Sequence, residues 1–118
     1  MPAYIQGAGQ IPILQTTAAG AGSWFEVHPK IRNITLQLSE LGSSVGAPVT
    51  GSVSVQASND GVNPLISTLG TIAFSSVASP AVDGFSLDAH WNFIRGVLTT
   101  NSTQSSGSTF SLIASAQM

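Results

Sequence analysis

Asp88-Ala89-His90 is the nearest thing to a catalytic constellation in this chain. Side chains alternate in extended backbone, so Asp88 and His90 would share one face, where a carboxylate could orient an imidazole for proton transfer. The third group is the difficulty. Serine is abundant, yet no Gly-x-Ser-x-Gly elbow or other nucleophile setting surrounds any copy of it. The second histidine, His28, stands next to Pro29 rather than beside another ligand. A structural turn is the favoured reading at 88–90, and the chain is read as non-enzymatic, with no catalytic residue.

Metal chemistry is equally poorly served. A calcium loop needs several oxygen ligands at fixed spacing, and Asp60, Asp83 and Asp88 are isolated carboxylates with no D-x-D-x-D run. The stretch "VSVQASNDGVNP" begins like a strand and ends like a turn. Asn and Asp tolerate positive φ and Gly adopts it freely, so Asn59, Asp60 and Gly61 spell a chain reversal. An ion held by Asp60, Asn59 and backbone carbonyls is the rival reading, and turn geometry is favoured over it. No metal or cofactor is expected, and the absence of cysteine removes thiolate sites and disulfides together. "NIT" and "NST" match glycosylation sequons and are read as polar strand and loop positions.

Three side chains suggest binding instead. Arg95 lies between Ile94 and Gly96 in an aromatic-rich segment, where burying an unpaired guanidinium is costly. A structural salt bridge to a carboxylate, with Asp83, Asp88 and Glu26 as candidates, is the favoured reading, and emergence at an interface is the alternative. Trp24 and Trp91 would form a sugar-stacking platform if exposed together, and would otherwise fill a core or an interface.

The elements positioning these groups follow from composition and period. One domain fits 118 residues, and 42% hydrophobic content supplies one core. Only 7% of residues are charged, against about 25% in typical soluble domains. Solubility therefore rests on Ser, Thr, Gly, Asn and Gln, a neutral polar surface on which identical copies do not repel one another. Lys30, Arg32 and Arg95 are the only fixed cations, too few to neutralise a run of phosphates, so no nucleic-acid partner is expected. No apolar run approaches the roughly 18 residues of a membrane helix, and "MPAYIQGAGQIPIL" lacks a basic leader pattern; no membrane partner is expected, and the expected site is a cytoplasm, with the chain made and kept there or released by lysis.

Short runs rich in β-branched and aromatic residues recur between Gly, Pro, Asn and Ser clusters, predicting strands at 11–17, 23–28, 31–40, 50–57, 65–74, 81–88, 91–100 and 108–116. Val53, Val55 and Ala57 alternate with polar neighbours, as do Ile34, Leu36 and Leu38, and Phe110, Leu112 and Ala114, so these three strands should line one core. In "HWNFIRGVL" Trp91, Phe93 and Val97 share one face and Ile94 and Leu98 the other, which predicts a central strand or one whose outer face meets a partner. The expected fold is all-β: a two-sheet antiparallel sandwich of about eight short strands, jelly-roll or Greek-key like. Residues 1–10 read as an extended N-terminal arm and 11–118 as the sandwich domain. Segments 41–48 and 100–108 read as loops. Tyr4, Ile5, Ile11 and Ile13 are the apolar groups by which an arm could dock on another chain.

The segments "VSVQASNDGVNPLISTLGTI" and "DGFSLDAHWNFIRGVLTT" together resemble a pattern in small structural proteins of tailed bacteriophages. There a v-x-a-S-N-D-G-x-n-W hairpin precedes an aromatic-x-x-Ile-Arg strand. The likeness spans 53–100, with Pro64 standing where the pattern commonly carries an aromatic residue. It implies a virion β-sandwich: a capsid decoration or cement protein, often trimeric, bound outside an icosahedral shell and bridging neighbouring major capsid proteins. The implied partners are the major capsid protein and further copies of this chain. A carbohydrate-binding module of a tail fibre or enzyme, and a tail or baseplate structural protein, are the alternatives.

Overall fold

Strict alternation of apolar and polar side chains gives each strand one face to hide, and two sheets hide those faces against each other. The computed structural model describes residues 3–5, 9–28, 30–41, 45–78, 81–88, 91–101 and 109–117. The strands are β1 (Ala3–Ile5), β2 (Gly9–Thr16), β3 (Gly20–Ala21), β4 (Phe25–Val27), β5 (Asn33–Leu41), β6 (Pro48–Ser58), β7 (Gly70–Ala78), β8 (Val82–Asp88), β9 (Phe93–Asn101) and β10 (Thr109–Gln117). No helix occurs among the described residues, so none is present that is long and apolar enough to cross a membrane.

The four-stranded sheet runs β2-β10-β5-β8 and the six-stranded sheet β1-β4-β9-β6-β7, with β3 also pairing β9. From β4 onward, only β6 and β7 are consecutive strands of the same sheet; every other connection passes to the opposite sheet. That alternation is the jelly-roll arrangement of the expected sandwich. All pairings are antiparallel except β1 with β4, where Ala3, Tyr4 and Ile5 align with Phe25, Glu26 and Val27. Part of the expected arm is thus a short strand on the chain's own sheet, and Gly9 and Gln10 already belong to β2.

The three strands expected to line one core do so. Val53, Val55, Ala57, Ile34, Leu38, Phe110, Leu112 and Ala114 are wholly buried, and Leu36 nearly so. Ile94 and Leu98 join them from β9, and Phe74 stacks on Phe110 with ring centroids 6.3 Å apart. Glu40, which takes the next position of that alternation after Leu38 on β5, is also fully buried.

The strand expected at 65–74 begins at Gly70. Leu65 N donates to Ala57 O (2.9 Å) and Leu69 N to Val55 O (2.8 Å), so four steps on one side span two on the other. The surplus residues arch outward, leaving Ile66 fully exposed. Farther along, β7 carries one extra residue opposite Thr50: Val77 aligns with Val49 and Phe74 with Gly51. Ser76 takes φ 52° there and donates its N–H to Thr50 Oγ1 (3.0 Å). At one edge of the four-stranded sheet, β2 contains Pro12, which has no N–H to offer; proline inside a strand is tolerated at such edges.

Candidate functional site

Strand β9 lies between β4 and β6, and its period sends Ile94, Gly96 and Leu98 inward while Phe93, Arg95 and Val97 remain half-buried on the outer face. The register sets their neighbours. Phe93 aligns with Ser58 and Glu26, Arg95 with Gln56, and Val97 with Ser54 and Ala21.

The short strands β3 and β4 are two pieces of one edge along β9. Gly20 and Ala21 align with Leu98 and Val97, whereas Phe25 and Glu26 align with Ile94 and Phe93, which leaves one surplus residue in 22–24. Gly22 N holds the bulge to Gly96 O at 2.8 Å. Bulges re-aim side chains, and here Trp24 lies over the Arg95 guanidinium, 4.4 Å from its ring centroid. On its other flank Arg95 donates Nε–H to Gln56 Oε1 at 2.8 Å.

The partners of Arg95 are therefore an indole and a neutral amide. Among the described residues no carboxylate pairs with it, neither Glu26 on the adjacent strand nor Asp83 or Asp88 on the opposite sheet, and its Nη groups donate to none of them. A planar cation clamped on two sides presents its remaining N–H groups as a fork matching a carboxylate or a pair of carbonyls.

Phe93 packs under the turn at 59–61. Gly61 has φ 71°, and a Cβ there would stand 3.2 Å from the Phe93 ring, so the residue serves both the backbone sign and the contact. Both carboxyl oxygens of Asp60 are used inside the turn. Its Oδ1 accepts from Ser58 Oγ (2.7 Å), Val62 N (2.8 Å) and Asn63 N (2.8 Å), and Oδ2 from Asn63 Nδ2 (2.9 Å). The backbone N–H groups of Asn63 and Val62, with the Ser58 hydroxyl, hold this carboxyl well below the usual carboxylate range. Asn59 accepts from Asn92 N through Oδ1 (3.4 Å) and from Asn92 Nδ2 through its backbone O (3.2 Å), tying the turn to the entry of β9. Asn59, Asp60 and Gly61 are thereby engaged with the chain itself.

The remaining candidates are dispersed. Trp91 is half-buried and packs against the hydrophobic core, so the two indoles have separate roles. Ile13 is buried in that core and Ile11 packs against it; Tyr4 and Ile5 lie in β1. His28 Nδ1 accepts Lys30 N (3.0 Å), closing the turn after β4. His90 lies outside the described residues, as do 42–44 and 102–108 of the two expected loops. Among the described residues no three metal-ligating groups converge. Gln56 was not legible as a site residue, because its role depends on cross-strand register.

Neither a family model nor a curated protein matches this sequence.

Proposed function

We propose that this chain is a non-catalytic virion structural protein, a capsid decoration protein that binds the outside of an icosahedral shell and bridges neighbouring major capsid subunits. The observation carrying this reading is the Trp24–Arg95–Phe93 surface: a stacked, half-exposed indole–guanidinium pair beside a phenyl ring at the middle of a sheet face. Trp and Arg dominate the energetics of protein interfaces because they bring large rigid area and directed donors together. The resemblance over 53–100 points to the same class of protein.

Bridging needs more than one contact, and exposed apolar residues lie at both ends of the sandwich. Val62 (72% exposed) and Ile66 belong to the connection from β6 to β7. Val77 and Val82 flank the passage from β7 to β8 at the other end, where Val45 (91% exposed) precedes β6. Each such side chain contributes about 1.5–3 kcal/mol when fully covered by a partner. Once one copy is held, further contacts become intramolecular, so several modest patches yield high avidity. A nearly uncharged surface allows copies to crowd, in keeping with a homotrimer.

The test is add-back of purified protein to shells lacking it, read by co-sedimentation and particle imaging. Arg95→Ala and Trp24→Ala variants with wild-type circular dichroism should lose retention at least tenfold. Full retention of both variants, or density on a tail or baseplate instead of the shell, overturns the proposal.

A further inference from the structure

The opposite face of the molecule carries a separate feature. Across the four-stranded sheet the register lines up outward residues in rungs: Gln10-Ser115-Thr35-Ser86, then Pro12-Ile113-Gln37-Gly84. A cleft of about 540 Å³ opens over these rungs, bounded at one side by Asp83. Its volume falls within the range of small-molecule sites.

Gly84 shapes it. A Cβ at this position would collide with the backbone carbonyl of Leu36, so β8 approaches β5 closely and no side chain fills the space beside Gln37. Half-buried Ile113 forms an apolar strip in the floor, and Thr35, Gln37, Gln10 and Ser115 surround it with hydroxyls and amides. Two bonds made by these groups are long: Thr35 Oγ1 to Ser115 O is 3.3 Å, and Gln37 Nε2 to Ser39 Oγ, outside the cleft lining, is 3.4 Å. They are readily exchanged for bonds to a ligand. Asp83 accepts its neighbour's N–H, Gly84 N to Oδ1 at 2.8 Å, and among the described residues Oδ2 accepts nothing. Among the described residues the lining contains no Lys, Arg or His.

An apolar strip ringed by amides and hydroxyls, with one carboxylate and no cation, matches a molecule that has C–H faces and many hydroxyls but no negative charge. We propose that this cleft binds a neutral oligosaccharide, with Gln37, Thr35 and Gln10 bonding its hydroxyls, Asp83 accepting from one, and Ile113 lying beneath a sugar ring. The site is on the sheet opposite Trp24 and Arg95 and does not depend on the capsid reading.

The experiment uses the full chain on an array of neutral and uronate- or sialate-bearing oligosaccharides, followed by calorimetric titration of the strongest neutral binder. The outward positions of Gln37 and Thr35 allow Gln37→Ala and Thr35→Val to fold normally, checked by circular dichroism. Each should weaken binding about tenfold, the effect of losing a directed hydrogen-bond pair, while Ala73→Ser on the other sheet changes nothing. Backbone amide shifts on adding the sugar should cluster in β5, β8 and β10. No binding to any neutral glycan, binding confined to acidic glycans, or binding lost in Trp24→Ala but retained in Gln37→Ala overturns the proposal.

Discussion

Replacing Arg95 by Met tests the clamp on the β9 face, because Met retains the apolar stem and removes the guanidinium. Two interactions disappear. A hydrogen bond from a charged donor contributes about 1.5–3 kcal/mol in general, and half-exposure of both Arg95 and Gln56 lowers the figure to about 1 kcal/mol. The stack on Trp24 adds about 0.5–1 kcal/mol. Gln56 can turn to water, so no orphaned-acceptor penalty follows, and the expected loss is about 1.5–2 kcal/mol. With a urea slope near 1.5 kcal/mol/M, the unfolding midpoint falls by about 1 M at unchanged slope. Arg95→Lys keeps the charge yet cannot lie flat on the indole while donating to Gln56, so it should show most of the same loss. A double-mutant cycle of Trp24→Leu with Arg95→Met isolates the stack and should return a coupling of about 0.5–1 kcal/mol. A coupling indistinguishable from zero, or a fully stable Arg95→Lys, refutes the clamp and removes the preorganisation on which the proposed interface rests.

Three further outcomes are expected. Because hydrogen bonds depress the folded-state pKa of Asp60, its contribution is complete above the ordinary aspartate range and disappears as pH falls below it; acid titrations monitored by tryptophan fluorescence should show a flatter acid limb for Asp60→Asn than for the wild type. Gly61→Ala forces a side chain into φ 71° and against Phe93, so thermal unfolding should reveal a loss of at least about 1–2 kcal/mol, partly recovered by adding Phe93→Leu. Deleting residues 1–8 removes β1 but no strand of the jelly roll, so far-ultraviolet circular dichroism should be preserved and the unfolding midpoint nearly so; collapse of the strand signal would make β1 integral to the fold.

Residue type and period made the eight sandwich strands legible, since Ile34, Leu36, Leu38 and their counterparts on β6 and β10 alternate without interruption. The same rule misplaced the start of β7: "LISTLGTIAF" is rich in strand formers throughout, and only the spacing of the two bonds to Ala57 and Val55 reveals that its first half arches away. The turn at 59–61 was readable because its chemistry is local, with Ser58 to Asn63 supplying most partners. Arg95 was readable as a residue with an unmet need, yet its partners come from positions 39 residues earlier and from a bulge in a Gly-Ala segment that has no periodic signal. The cleft was illegible for a related reason. It exists only once four strands far apart in the chain are placed in register, and its opening depends on a residue with no side chain.

The surplus residue at 75–76 has a bearing on life in a crowd. A straight outer strand of the composition of β7, uncharged and free of proline, would be a template on which a neighbour's backbone could continue the ladder, fusing separate molecules into one growing fibre. The kink at Ser76 puts the amide rhythm out of step partway along the border. Molecules held shoulder to shoulder at high local concentration can then touch through side chains while each keeps its own hydrogen-bond network closed.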